Sequence, residues 1–328
     1  MSARLAPRVC LSVMVTMLLA PVARSGGQTA PTDRLLIASD EPGNRVVVVS
    51  LATGQVEGTI PVGNRPRGMA ISPDGQRIFV ALGNDDAVAV VDLASRHVVR
   101  TLAVGKDPEQ VAVDPQAATV FVSNEEIAKA TAVDIASRRA RFTADVGKEP
   151  EGVAVAPNGR KVYVTGESDS TVTVLDASTG RRLTSFMVGS RPRFVVFTRD
   201  GSRAYVSAEN GGTVSFVDAR ADTLIGVATI GDRTTKPTGL ALSPDERMLF
   251  LANGRSNEVA MIDVASRSVV GTVPVGERPW GIALSRDGRT LYTANGRSGS
   301  ISVIDVPSRK VTSTIAVGGR PYTVLLAP

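Results

Sequence analysis

The sequence predicts an all-β fold, a seven-bladed β-propeller of four-stranded blades closed by N- and C-terminal strands that share one blade. Three anchors in phase lead there. A glycine followed within a few residues by proline recurs at Gly63, Gly105, Gly147, Gly189, Gly231, Gly276 and Gly318, in steps of 42 residues with a single step of 45. An aspartate that closes an apolar run keeps the same step, at Asp92, Asp134, Asp176, Asp218, Asp263 and Asp305. A Pro-Asp-Gly type turn returns in phase at 73–75, 157–159, 200–201, 244–245 and 287–288. Periods of this length signal a repeat architecture, and four short strands per repeat fit propeller blades.

The elements follow in order. Residues 1–25 read as an export leader: Arg4 and Arg8 precede an apolar run from Val9 to Ala20, and Ala23 and Ser25 supply small residues for cleavage near Ser25. Residues 26–34 read as a linker, and 35–328 as the propeller. Leu35 to Val62 holds three strands. The first complete repeat runs Gly68–Ser72, the turn at 73–75, Arg77–Ala81, the Asn84–Asp86 loop, Ala87–Val91, a turn begun by Asp92, and His97–Val104. β-Branched runs favour strand, and Gly, Pro, Asp and Asn mark the reversals. The runs at 46–49 and 88–91 are apolar on both faces, as in a sheet packed between two others. Tyr322–Leu326 supplies an innermost strand with nothing after it, which the three N-terminal strands lack. Pairing the two removes an exposed edge.

Composition narrows the chemistry. One Cys and one His exclude zinc, thiol-redox and c-type haem sites built on such clusters. Cys10 falls in the leader. Removing Arg4, Arg8 and Arg24 with the leader lowers the formal charge from +5 to +2, and aromatics make up only 4% of the chain, so nucleic-acid binding is disfavoured. No later apolar run is long enough to span a bilayer. The expectation is a soluble, exported, periplasmic monomer. His97 follows the Asp92 turn, at the end of the blade away from the divergent loops, and reads as surface structure.

The stretches AISPDGQRIFVALGNDDAVAVVDLAS at 70–95 and LSPDERMLFLANGRSNEVAMIDVAS at 242–266 resemble the YVTN β-propeller repeat. The tetrad is degenerate, as Tyr163-Val164-Thr165-Gly166 and Tyr205-Val206-Ser207-Ala208, and carries no catalytic residue to transfer. The plan of a leader plus seven repeats is similar to that of the exported propellers found with PQQ-dependent alcohol catabolism and its transport system. That resemblance implies a non-catalytic periplasmic binding or scaffold protein with no required cofactor, calcium and PQQ being possible ligands. A metal-assisted, lactonase-like hydrolase using channel-mouth carboxylates is the alternative.

Where the repeats diverge, function becomes readable. The loops into the innermost strands read Arg65-Pro-Arg67, Asp107-Pro-Glu109, Glu149-Pro-Glu151, Arg191-Pro-Arg193, Lys236-Pro-Thr238, Arg278-Pro-Trp280 and Arg320-Pro-Tyr322. Glu125, Glu126, Glu167, Arg255 and Arg297 open on the same face, which is expected to split into an acidic and a larger basic sector. Arg67, Arg193, Arg278 and Arg320 are candidates for holding a small anionic ligand or a periplasmic protein partner, with Trp280 and Tyr322 as an aromatic wall or as rim packing. Glu109, Glu125, Glu151 and Glu167 are candidate ligands for a hard cation. Solvated loop charge is the plainer reading of both sets.

Overall fold

The computed structural model describes Met1, Ser2 and residues 33–328. The expected leader, its cleavage point and most of the linker therefore lie outside the described residues. From Leu35 onward the chain forms seven four-stranded antiparallel sheets, and the innermost strands touch one another in a closed ring. Blades one to six span 66–103, 108–145, 150–187, 192–229, 237–274 and 279–316. Blade seven is assembled from both ends, in the order Pro321–Ala327, Leu35–Asp40, Arg45–Ser50, Gln55–Pro61. The shared closing blade is as expected. Among the described residues, no helix is long and apolar enough to cross a membrane.

The middle strands are buried on both faces because every sheet packs between two others. Val46 to Val49 and Val88 to Val91 are at most 2% exposed. One cluster joins Ile37, Val46, Val48 and Ile60 of blade seven to Ile78, Val80, Leu82 and Val91 of blade one, and similar clusters fill the gaps between the following blades. Each such side chain contributes about 1.5–3 kcal/mol when fully buried. The outermost strands alternate between exposed and half-buried positions, as in His97–Ala103.

The phased aspartates build the turns remote from the channel mouth. Asp92 accepts hydrogen bonds from the backbone N–H and the hydroxyl of Ser95, both at 2.7 Å, and Asp134 and Asp263 repeat this with Ser137 and Ser266. Such Asx turns fix the reversal locally. His97 is exposed beside the first of them, with Nδ1 2.6 Å from the Ser95 carbonyl.

The opposite face carries the divergent loops. In blades one to six, register slips just after the proline that opens the innermost strand: Pro66 pairs with Leu82, but Met69 pairs with Val80. Pro108, Pro150, Pro192, Pro237 and Pro279 begin equivalent irregularities. A bulge of this kind places an extra residue in one strand and re-aims its side chain. The re-aimed position is the one the sequence varies most: Arg67, Glu109, Glu151, Arg193, Thr238 and Trp280, with Tyr322 equivalent in blade seven.

Candidate functional site

Three rings of side chains surround the channel mouth, one from each of three repeated positions. The first precedes the proline: Arg65, Asp107, Glu149, Arg191, Lys236 and Arg278, all with φ between 45° and 59°, and Arg320 in blade seven. A positive φ is uncommon for these residues, and its recurrence in six blades shows that the turn requires it. The second ring is the bulged position. The third is defined by one repeated bond, in which its N–H donates to the carbonyl of the first ring. Its members are Glu41, Gly83, Glu125, Glu167, Glu209, Gly254 and Gly296, and the N···O distances run from 2.8 to 3.4 Å. Four blades therefore place a glutamate here and three place a glycine.

In blades seven and one to four the rings interlock as ion pairs that bridge blades. Arg67 Nη2 lies 2.6 Å from Glu109 Oε2 and 3.4 Å from Glu151 Oε1, and Arg67 Nη1 lies 3.3 Å from Glu41. Arg193 pairs with Glu167 and lies 3.2 Å from Glu151 Oε1. Arg191 contacts Glu167 and Glu209 at 2.7 and 3.1 Å. The Tyr322 hydroxyl spans the channel and donates to Glu151 Oε1 at 2.7 Å. Glu109, Glu151, Glu167, Arg193 and Glu209 are at most 4% exposed. The sequence leads one to expect an acidic sector facing a basic one; here arginines of blades one and four flank the acidic blades two and three and pair with their carboxylates. Without these partners, carboxylates so deeply buried would be far costlier.

This network sets protonation. Burial, reinforced by Glu151, pushes the Glu109 carboxyl up to about 9 against the pull of Arg67 and Arg65. Burial also opposes ionisation of Glu151, but Arg193, Arg67 and the Tyr322 hydrogen bond outweigh it and hold its pKa below the ordinary value. Burial opposes the charge of Arg67, and Tyr322, Glu151, Glu109 and Glu41 outweigh it, so Arg67 titrates well above its normal range.

A smaller group lies at the edge of this network. Carboxylate oxygens of Asp107, Glu109 and Glu125 all approach within 4.8 Å of one another. Asp107 and Glu125 are half-buried and Glu109 is buried, so the group opens toward the mouth. Three carboxylates make a hard oxygen donor set suited to a divalent cation such as Ca²⁺ or Mg²⁺. Glu109 Oε2 supports the fit: Arg67 Nη2 is 2.6 Å away but out of line, so this buried oxygen has no hydrogen bond, and a cation would displace the proton that the raised pKa keeps on Glu109 at neutral pH. Arg65 contacts Asp107 and, at 2.6 Å, Glu109 Oε1, and its Nε lies 3.4 Å from Glu41. A cation would compete with Arg65 for these oxygens, and Glu41 offers the arginine another partner.

The predicted site residues are thus only partly brought together. Glu109 and Glu125 meet, whereas Glu151 and Glu167 are held by arginines. Arg67 and Arg193 are neutralised inside the network. Arg278 has one carboxylate contact, to Glu209 at 3.2 Å, and Arg320 has no side-chain ion pair among the described residues. Trp280 and Tyr322 lie side by side, with ring centroids 5.3 Å apart and planes tilted by 41°. Arg67 stacks on Tyr322 at 4.2 Å and Arg278 on Trp280 at 4.3 Å. Sequence reasoning did not select Glu41, Arg65, Asp107 or Glu209. A signal for two of them exists, because Glu41 and Glu209 fall in phase with Glu125 and Glu167.

Comparison with known proteins corrects the functional expectation. The family model "Lactonase, 7-bladed beta-propeller" matches residues 180–319. No functionally curated protein matches the chain. Among solved structures, a Bacteroides fragilis protein described as a candidate 6-phosphogluconolactonase is 16% identical, with TM-score 0.76 over 94% of this chain and 100% of its own. Hydrazine synthase of Kuenenia stuttgartiensis is 21% identical, with TM-score 0.75 over 88% and 99%. A Desulfotomaculum acetoxidans protein of unknown function is 16% identical, with TM-score 0.79 over 90% and 99%. Identities this low establish the shared propeller fold alone. The expectation of a non-catalytic scaffold serving PQQ-linked catabolism is overturned by the lactonase match and by the Asp107–Glu109–Glu125 cluster. The same cluster overturns the expectation that no cofactor is required, because it is a donor set for a metal ion.

Proposed function

We propose that the protein is a metal-assisted hydrolase of lactones or related esters, acting at the channel mouth. The observation that carries this reading is the convergence of Asp107, Glu109 and Glu125 within one open recess. The lactonase match supports it from a different part of the chain, blades three to six. Asp107, Glu109 and Glu125 would hold the cation, which when bound supplies Lewis-acid polarisation of the ester carbonyl and a more acidic water. The remaining chemistry belongs to the chain's own charges. Arg67 and Arg65 fix Glu109. Lactone opening creates a carboxylate, and Arg65 and Arg67, which border the cluster, would be the guanidinium groups nearest to that charge. The YVTN-like repeats are consistent with the blade that carries the site, and the leader-like pattern of residues 1–25 supports action in the periplasm.

Acid release from γ- and δ-lactones in the presence of Ca²⁺, Mg²⁺, Mn²⁺ or Zn²⁺ tests the proposal. Turnover should depend on the cation, and Asp107→Asn or Glu125→Gln should abolish it, a larger loss than the roughly 10–100-fold seen when a residue that only supports a metal ligand is changed. Turnover unaffected by either substitution would remove this centre from the chemistry.

A further inference from the structure

The third ring changes character in blades five and six. There the glutamates of blades two, three, four and seven give way to Gly254 and Gly296, and each glycine is followed by an arginine, Arg255 and Arg297. The substitution opens space. A Cβ at position 296 would stand only 2.8 Å from Cδ1 of Trp280, so the glycine is what lets the ring lie against this backbone. A cavity of about 420 Å³ results, bounded by Arg278, Arg297 and Arg320 with Trp280 and Tyr322 as its flat wall. A second hollow of about 290 Å³, reaching Arg255, shares Arg278 and Arg297 with it.

Charge in this recess is not balanced as it is elsewhere around the mouth. Among the described residues, the side chains of Arg255, Arg297 and Arg320 have no carboxylate within ion-pair distance, and Arg278 shares Glu209 with Arg191 and Arg193. Glu41 lines the cavity but is engaged by Arg65 and Arg67. Burial is the main reason that the pKa of Arg278 is lowered; Glu209 opposes this, and Arg193 and Arg297 add a smaller depression. Three guanidinium groups beside the Trp280 and Tyr322 rings form a receptor for one anionic group carried on a small apolar body, and the volume fits a small molecule.

We infer that this recess is a ligand-recognition subsite, in which Arg297, Arg320 and Arg278 hold a carboxylate or phosphate while Trp280 and Tyr322, which line the cavity, flank the ring bearing it. The inference rests on the hydrolase reading only for what then happens to the ligand: it assigns the enzyme an anionic, ring-shaped substrate and leaves the cation centre in blade two to act on its far end. Binding itself is independent of turnover.

Trp280 is the only tryptophan in the chain, so intrinsic fluorescence reports directly on the recess. The full chain is titrated with benzoate, phenyl phosphate and the neutral benzamide. A saturable change with one or both anions, absent with benzamide, is expected, and the better anion identifies the natural group as carboxylate or phosphate. Affinity should fall about tenfold or more in Arg297→Gln/Arg320→Gln, through loss of charge-assisted hydrogen bonds. Both arginines are exposed, so the fold should survive. Gly296→Ala, which crowds the indole, should weaken binding with both arginines in place. No saturable change with either anion, equal binding of benzamide, or wild-type affinity in the double variant overturns the inference. Asp107→Asn separates the two proposals, because it should remove hydrolysis and leave the fluorescence titration intact. An intact titration without turnover in any condition defeats the hydrolase reading alone, and turnover without a titration defeats this one alone.

Discussion

Arg193 occupies the centre of the ion-pair network, with its side chain 4% exposed and in contact with Glu151, Glu167 and Glu209. Truncating it leaves buried carboxylates without their main partner. Arg193→Ala should therefore cost about 3–5 kcal/mol, measured by urea unfolding, because an uncompensated buried charge outweighs the lost contacts. A cost below about 1 kcal/mol, the range of a surface pair, would show that the ring is hydrated. At this scale the sequence was legible in position but not in partnership. Phase alone identified Arg67 and Glu151 as neighbours of the mouth. Their pairing across 84 residues depends on the diameter of the ring and on the bulge that turns both inward, and neither is written locally. Asp107 was visible in the divergent tripeptide but was passed over for Glu109, because the turn that aims both toward Glu125 has no sequence signature of its own.

Closure and turn chemistry are properties of whole elements. The strand Pro321–Ala327 buries Val324 between blades six and seven and Ala327 between blades seven and one, and Tyr322 is buried as well. Deleting 321–328 should cost several kcal/mol and lower Tm by roughly 10 °C or more in a thermal melt. An unchanged Tm would mean that the ring does not depend on this strand. Asp40 clips the same closure. It is 1% exposed and accepts hydrogen bonds from Arg45 Nε and the Arg320 N–H, both at 2.9 Å. Asp40→Ala should cost about 1–3 kcal/mol in chemical denaturation, by leaving those donors unpaired. The remote turns give a pH dependence. Hydrogen bonds from Ser178, then Thr179, lower Asp176 to about 2. Its folded pKa lies below its unfolded one, so its stabilisation is present above about pH 4 and is lost as pH falls toward 2. Asp176→Asn should flatten the acid limb of a stability–pH curve over that window, whereas an identical limb would assign acid unfolding to other carboxylates. These elements were the most legible of all. The Asp92 turn and the two-part blade were readable because each depends on residues close in sequence or on a count of strands.

For the molecule as a whole, the seven-fold period fixed the architecture but left the function open. Repeats announce what the blades share, whereas the centre depends on where they differ, as in a glutamate at 125, a glycine at 296 and a tryptophan at 280. Similarity to exported propellers pointed to a passive scaffold, and the clustering of Asp107, Glu109 and Glu125 replaces that picture with a candidate metal-binding cluster. The ring makes this reasonable physically: interlocked blades hold the charged side chains in place through ion pairs between blades, so the donors are positioned before any ligand arrives. The most direct test strips the purified protein of metal with a chelator and follows lactone hydrolysis as a single divalent cation is restored. This account predicts activity that disappears on stripping, returns saturably with the cation, and fails to return in Asp107→Asn. Hydrolysis that persists through stripping, or a stripped protein that no cation revives, would contradict it.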